Sequence, residues 1–325
     1  MKGNQVSGCT QILDKLNMVD TIGLSLETGL PDQFVSALDN PEYRTKKGQT
    51  CTRIQGKLEN LSVSIREHDL GYSEVFLSGS LAKFLRGNNA ETLTRSATQE
   101  AVGKLSDLLS CDIGGARVRT LDIGRNLLMK HRPEQYFSFL CSAPYMTKIH
   151  TGNTLYFQNG IRKLAFYDKC EELVRSKTDV PECFSGGKVL RYEQRIKKGL
   201  PKLFKRSEVL FKDLYSEKMY SDLVQSWKEA YFSVKKQKQE GVILNMTNVN
   251  SLMNDLAFLG VLHIGADQVR AQIDSAYKSG LINRQQKHRY LSKLNEIAIC
   301  ENRENTSDLI RELDQKVSQS VRYAR

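Results

Sequence analysis

Two hydrophobic periods divide this chain into a strand-rich part and a helical part. Apolar and polar residues alternate along 52–58 and 61–66, and a period of two predicts half-buried antiparallel strands. A helical period predicts helices at about 90–110 and 133–142. Further strands are predicted near 19–26, 73–79, 118–123, 153–158, 162–169 and 189–196.

From about residue 206 onward the period is helical. Trp227, Tyr231 and Val234 form one apolar stripe at helical spacing. A break around 199–201 (GLP) precedes this change of period and marks a domain boundary there. Further helices are predicted near 248–260, 265–278, 283–299 and 303–322.

Charge favours a polyanionic partner. The chain has 48 Lys and Arg against 37 Asp and Glu, a net charge of +11 and a pI near 9.2. Ribosome-associated and membrane-surface proteins are equally basic, so the distribution of charge says more than its sum. Between 186 and 206 there are eight basic residues, and the only acidic residue is Glu193. This segment is a candidate for DNA binding, and the alternative is a charged face exposed to solvent. The basic residues there are Lys188, Arg191, Arg195, Lys197, Lys198, Lys202, Lys205 and Arg206.

Cysteine usage and hydropathy exclude two other classes. The seven cysteines are odd in number and widely spaced, without a CxxC pair or a zinc-like His/Cys spacing, so reduced thiols in a cytoplasmic protein are expected. No apolar run of about 18 residues could span a bilayer, and the amino terminus lacks a signal-peptide core. A secreted or membrane-embedded protein is not expected.

A candidate site lies between residues 153 and 193. Alternation along 163–169 places Tyr167 and Lys169 on the face opposite to the core, and alternation along 189–196 places Arg191 and Glu193 on the same face. Transfer of a phosphate to tyrosine needs the phenol as nucleophile, cations that bind the phosphate and a carboxylate that binds a metal ion. The pattern therefore predicts such a site on an open sheet face.

Three blocks in a fixed order carry a family resemblance. Residues 152–156 (GNTLY), 164–169 (LAFYDK) and 190–193 (LRYE) resemble the signature of rolling-circle replication initiators, in particular the gene-two replication protein family of filamentous phages. Plasmid initiators of the Rep-trans type are more distantly similar. The blocks 18–24, 83–89 and 121–123 agree with this resemblance, which covers roughly 18–206. The family carries an arginine two positions before the residue that matches Asp122. This chain has Thr120 at that position, with Arg119 next to it.

The resemblance implies an α+β fold: an antiparallel five-stranded sheet with flanking helices, of the HUH type, followed by a helical carboxy-terminal region. The implied organisation is an extension over 1–17, a nicking and joining domain over 18–205 and a helical domain over 206–325. The implied activity is origin-specific, metal-dependent DNA nicking through a 5′-phosphotyrosine, which initiates rolling-circle replication in the cytoplasm of a bacterial host. A host helicase and polymerase are implied partners, and a non-catalytic DNA-binding regulator is the alternative.

Residue roles follow from the matching positions. Tyr167 is the candidate nucleophile, with Lys169 favouring the phenolate and Tyr156 as the alternative nucleophile. Asp122 and Glu193 are candidate ligands of Mg²⁺ or Mn²⁺, because hard oxygen donors suit these ions. Either carboxylate could instead form salt bridges to neighbouring arginines. Arg191 and Glu172 are supporting residues. The candidate DNA-binding residues are Lys83, Arg86, Asn88, Asn89, Arg195, Lys197, Lys198, Lys202, Lys205 and Arg206.

Other motifs are weaker. The His-hydrophobe-His triplet of many rolling-circle nickases does not occur, which leaves His150 as a possible third metal ligand or a loop histidine. The segment 185–188 (SGGK) lacks the first glycine and the final Ser or Thr of a phosphate-binding loop, so strand separation would depend on a helicase. The helix pair 266–279 and 283–299 is typical of bundle packing, with a DNA-reading helix-turn-helix as the less common interpretation.

Overall fold

The computed structural model describes residues 17–29, 31–45, 52–68, 71–237, 249–299 and 308–322. Its strands are β1 (Asn17–Thr28), β2 (Asp39–Thr45), β3 (Thr52–Leu58), β4 (Leu61–Glu67), β5 (Ser73–Ser80), β6 (Leu93–Thr94), β7 (Arg117–Leu128), β8 (Leu140–Ser142), β9 (Thr147–Thr151), β10 (Thr154–Gln158), β11 (Arg162–Asp168), β12 (Val189–Ile196) and β13 (Lys235–Lys236). The predicted extension lies outside the described residues except for Asn17, the first residue of β1.

One large antiparallel sheet holds most of these strands. The order is β2-β3-β4-β5-β1-β7-β12-β11-β10-β9, with β6 beside the start of β1, and β8 and β13 form a separate pair. The α+β class is confirmed, but the expected five strands are too few, since this sheet has 11 strands within the described residues. Period-two alternation identifies a strand without identifying its partner, and the hairpins before residue 80 join the site strands through β1.

The helices are α1 (Pro31–Ser36), α2 (Leu81–Arg86), α3 (Arg95–Leu108), α4 (Glu134–Phe137), α5 (Lys169–Arg175), α6 (Leu200–Leu203), α7 (Glu217–Phe232), α8 (Val249–Ile264), α9 (Ala266–Lys278), α10 (Arg284–Ile299) and α11 (Asp308–Arg322). The helix predicted over 133–142 is a single turn, α4, followed by β8. None of the described helices is long and apolar enough to cross a membrane.

The core lies against one face of the sheet. Strand β12 sends Tyr192 into it, where the ring stacks on Phe166 at 4.6 Å and its main-chain carbonyl accepts a hydrogen bond of 3.2 Å from Trp227 Nε1 on α7. Helix α11 adds Leu313 and Val317 to the same core. The core thus continues past residue 206, where the predicted domain boundary stays a prediction. Helices α8, α9 and α10 pack on one another.

Candidate active site

Three adjacent strands bring the candidate site residues onto one face of the sheet. On β11 and β12, Tyr167 lies opposite Arg191 and Ala165 lies opposite Glu193. On β7, Asp122 lies opposite Arg195. Paired residues of antiparallel strands share a face, so the structure brings Tyr167, Glu193, Arg191 and Asp122 together on the face away from the core.

Glu193 is the centre of a hydrogen-bond network on this face. Its Oε1 accepts bonds from Tyr167 Oη at 2.6 Å and from Arg191 Nε at 2.9 Å. Its Oε2 accepts bonds from Arg195 Nε at 3.2 Å and from Arg195 Nη2 at 2.8 Å. Gly124 makes room for this side chain, since a Cβ there would lie 2.7 Å from Glu193 Cγ. The carboxylate is therefore fixed from both sides.

Asp20 is a site residue that the sequence reasoning missed. Arg191 Nη2 donates to Asp20 Oδ2 at 2.5 Å, and Ser80 Oγ donates to Asp20 Oδ1 at 2.9 Å. Arg191 Nη1 also bonds Asn126 Oδ1 at 3.3 Å. The signal was a carboxylate within the largely apolar segment 18–24, inside a block quoted only for its family likeness. A buried charge almost always has a partner.

The predicted open face is closed over part of the site, which corrects the prediction. Arg191 is 0% exposed and Glu193 is 2% exposed, whereas Tyr167 is half-buried. The loop after α2 covers this end of the sheet, because Asn126 Nδ2 donates to Ala90 O at 2.7 Å. Helix α5 adds a small apolar cluster on the same side. That cluster consists of Ala90, Cys170, Leu173, Phe184 and Val189.

Lys169 lies at the start of a helix and not in the strand where it was predicted. The strand ends at Asp168, whose carboxylate accepts a hydrogen bond of 3.0 Å from Glu171 N and caps α5. Lys169 is fully buried and donates to Glu172 Oε2 at 2.5 Å. Burial lowers the pKa of the Lys169 ammonium, and Arg191 lowers it further. Glu172 is thus the partner of Lys169.

Electrostatics keeps Tyr167 protonated in this arrangement. Burial raises the pKa of the Tyr167 phenol well above its ordinary value of 10, and the Glu193 carboxylate raises it further. Burial alone would also raise the pKa of Glu193, but Arg191 and Arg195 lower it to about 2. The phenol therefore donates to an ionised carboxylate, and its ionisation requires an additional cation near the hydroxyl.

Comparison with known protein families identifies the family of this chain. Residues 35–230, more than half of the chain, match the family model of the amino-terminal region of the phage gene-two replication-associated protein. The chain belongs to this family. Its predicted likeness to filamentous-phage gene-two replication initiators is thereby confirmed. A search of curated proteins finds no match.

In this replication initiator, two carboxylates meet at an arginine. Arg195 lies 2.8 Å from Glu193 Oε2 and 3.5 Å from Asp122 Oδ2, and its side chain is 38% exposed. Among the described residues, no group of three or more His, Cys, Asp or Glu side chains could hold a metal ion. Magnesium is commonly held by one or two carboxylates together with substrate phosphates, so the donor chemistry of Asp122 and Glu193 fits Mg²⁺ or Mn²⁺.

His150 is not placed to complete such a site. It lies on β9 opposite Leu155 of β10, and Leu155 in turn lies opposite Phe166 of β11. Leu155 and Phe166 are buried in the core. His150 therefore lies on the core side of the sheet, away from Glu193. Its ring lies edge-on to Phe137, with the two ring centroids 6.1 Å apart.

Tyr156, the alternative nucleophile, lies one strand further from Glu193. It is opposite Ala165 on β11, and Lys163 Nζ lies 3.5 Å from the centroid of its ring. A cation over the ring face is a packing arrangement in its own right. The geometry therefore places Tyr167, and not Tyr156, in direct contact with the carboxylate network.

Apart from Arg195, which bonds Glu193, the candidate DNA-binding residues form two groups. Lys83 and Arg86 lie on α2, and Arg86 is 3.5 Å from Glu91. Asn88 accepts a hydrogen bond of 3.1 Å from Ala90 N within the following loop, which also contains Asn89. Past β12, Lys197, Lys198, Lys202 and Lys205 are exposed, while Arg206 is half-buried and lies 3.7 Å from Asp213.

Asp122 should make the stability of the metal-free protein depend on pH. Burial raises the pKa of its carboxyl from 3.8 to about 7, against the attraction of Arg195. Between about pH 4 and pH 7 the folded protein keeps a proton on Asp122 that the unfolded chain has lost. The stability that this proton contributes is therefore present at about pH 4 and is lost as pH rises to about 7. Three pH units correspond to at most about 4 kcal/mol.

Urea unfolding of the native protein and of Asp122→Asn, measured at intervals over this pH range, checks this expectation. The native protein should lose stability with rising pH relative to the variant, because asparagine does not titrate. Parallel curves for the two proteins would show that Asp122 is ionised throughout the range.

Proposed function

We propose that this replication initiator is an origin-specific, metal-dependent DNA nicking and joining enzyme that acts through a 5′-phosphotyrosine at Tyr167. The observation that carries the proposal is the 2.6 Å hydrogen bond from Tyr167 Oη to a Glu193 carboxylate that two arginines hold in place. This bond joins a tyrosine hydroxyl to a carboxylate and fixed cations on neighbouring strands, in a protein of a replication-associated family, and this arrangement supports the proposal.

The covalent step balances without a co-reactant. The Tyr167 oxygen bonds to the phosphorus of a backbone phosphodiester, the bond from phosphorus to the 3′ oxygen breaks, and the phenolic proton leaves while the 3′ oxygen gains one. The products are a 5′-phosphotyrosyl strand and a free 3′-hydroxyl, which a polymerase can extend. Attack of a 3′-hydroxyl on the phosphotyrosine reverses the step, so joining needs no ATP.

The chain's own groups have separate tasks in this reaction. Glu193 orients the Tyr167 hydroxyl; with a pKa of about 2 it is an acceptor of the hydrogen bond and a weak base. Arg191 is buried and holds Glu193, whereas the partly exposed Arg195 can turn towards a DNA phosphate. Asp122 and Glu193 would hold Mg²⁺ or Mn²⁺ when Arg195 turns away, and the bound ion would polarise the phosphodiester.

The biological setting follows from the activity. Cleavage at an origin would start rolling-circle replication of a filamentous-type phage or a related element in the cytoplasm of its bacterial host, with a host helicase and polymerase as partners. A non-catalytic DNA-binding regulator of the same fold is the competing function. Only the nicking enzyme forms a covalent link to DNA.

Incubation of the full chain with supercoiled DNA that carries the intergenic region of its own element tests the proposal. We expect a nick with protein on the 5′ end, dependent on that region and on Mg²⁺ or Mn²⁺, and a DNA-modified peptide that contains Tyr167. The same plasmid without the intergenic region is the control. Origin binding without a nick would favour the regulator, and a nick without an adduct would rule out the tyrosine mechanism.

A further inference from the structure

A row of small side chains crosses the polar face of the sheet beside the site. Cross-strand pairing joins Ser62 on β4 to Ser78 on β5, Ser78 to Gly23 on β1, and Gly23 to Thr120 on β7. Lys57 on β3 lies opposite Ser62 and extends the row. We call these five residues the serine row. Its members face away from the core residues of the same strands, such as those of β4, which alternate buried and exposed.

We propose that the serine row and its flanking arginines bind single-stranded DNA and lead it to Tyr167. This rests on the proposed function, because it assigns a path to the strand that is cut. The row runs directly into the site, since Thr120 is two residues before Asp122 on β7 and Asp122 lies opposite Arg195. Five strand spacings separate Lys57 from Arg195, or about 24 Å.

The charges of this surface fit a phosphate backbone. Arg53, Arg66 and Arg119 are exposed, and two of them bond neutral hydroxyls: Arg53 Nε donates to Ser64 Oγ at 3.0 Å, and Arg119 Nε donates to Ser25 Oγ at 2.6 Å. A bond to a neutral hydroxyl leaves the charge of the guanidinium available to a ligand. Their positive charges can therefore neutralise DNA phosphates.

Arg117 shows the contrast on the same strand as Arg119. It lies 3.1 Å from Glu208 and 3.9 Å from Glu27, so carboxylates already balance its charge. We therefore leave Arg117 out of the proposed DNA contacts.

The shape of the row favours a strand that lies flat on the sheet. Ser62 and Ser78 are exposed and small, and serine and threonine hydroxyls are common donors to phosphate oxygens. Gly23 lets the Thr120 side chain lie across β1, because a Cβ at Gly23 would be 2.3 Å from Thr120 Oγ1.

Phe76 gives the surface a stacking group. It lies opposite both Ser64 and Ser25, is half-buried, and offers a ring to a base. Stacking on an aromatic ring requires an unpaired base, and cationic grooves with such rings are typical of proteins that bind single strands. We therefore infer a single strand and not a duplex as the ligand.

Salt-dependent binding to a fluorescent oligo-dT tests the proposal. The triple variant Arg53→Gln, Arg66→Gln, Arg119→Gln should lower the slope of log K against log salt by about 2, since each lost contact to a single strand contributes about 0.7. The control Lys177→Gln, Lys212→Gln, Lys218→Gln removes the same charge at exposed positions outside the serine row. The control should keep the native slope.

The double variant Arg53→Gln, Arg66→Gln guards against a folding defect, because it leaves the bond from Arg119 to Ser25 intact. Its slope should fall by about 1.4. Phe76→Leu should weaken binding without changing the slope, because it removes a ring and no charge. The proposal would be overturned if the triple and double variants kept the native salt slope, or if the control lost as much slope as the triple variant. A lower slope with duplex DNA but not with oligo-dT would overturn it as well.

These measurements are made without divalent cations and do not depend on cleavage. If the native protein forms no adduct but the triple variant has a lower salt slope, the serine row still binds DNA and the nicking function fails. If the native protein forms the adduct but the triple variant keeps the native salt slope, the nicking function stands and the serine row does not bind DNA.

Discussion

Tyr167→Phe should abolish the covalent protein–DNA adduct, with nicking reduced by more than about 1,000-fold. The substitution removes only the hydroxyl that is proposed to attack phosphorus. Glu193 keeps its bonds to Arg191 and Arg195, so the network stays satisfied and the loss of stability should be about 1 kcal/mol. DNA affinity should change little, because phosphate contacts dominate it.

The matched control is Tyr156→Phe. This residue lies on the same face one strand away, and the same hydroxyl is removed from a ring that packs beneath Lys163. Denaturing gels of labelled DNA after incubation with Mg²⁺ report the adduct for each variant. An adduct that persists in Tyr167→Phe and disappears in Tyr156→Phe would show that Tyr156, and not Tyr167, is the nucleophile.

Short-range sequence signals predicted the site strands well. Strand β12 was predicted with the bounds that it has, 189–196, because its apolar residues alternate and glycines flank it at 186–187 and 199. The same alternation placed Tyr167 and Glu193 on one face, as the structure shows. The catalytic roles of these residues remain predictions.

Long-range contacts account for what the sequence did not show. Alternation cannot tell which hairpins join a sheet, so the strands before residue 80 were not assigned to the site's sheet. It also cannot tell what covers a face. Ala90 and helix α5 close the end of the site where Arg191 lies, and both come from segments distant from β12.

Asp20 was missed for the same reason, since its partner Arg191 is 171 residues away. The helix α5 begins at Lys169 because Asp168 caps it, a local signal that alternation outweighed in the prediction. Local capping chemistry therefore decides where a strand ends even when its apolar period continues.

Arg191→Met should cost about 3–5 kcal/mol of stability, because it leaves buried carboxylates without their partner. Arg191 is 0% exposed and bonds Asp20 at 2.5 Å and Glu193 at 2.9 Å. Methionine approximates the length of the side chain, so the loss reports charge more than volume. Arg175→Met, which breaks the exposed pair with Glu171, is the control and should cost less than about 1 kcal/mol.

The loss in Arg191→Met should shrink as pH falls, because protonated carboxyls need no cation and burial favours their neutral form. Asp20→Asn in the same chain should recover part of the stability, since it removes one of the two unpaired charges; a double-mutant cycle isolates this coupling. Urea unfolding at neutral and at acidic pH measures both effects. A loss below about 1 kcal/mol at neutral pH, independent of Asp20, would mean that the carboxyls are already neutral in the native protein. Glu193 would then lack the negative charge with which it is proposed to orient Tyr167 and to hold a metal ion.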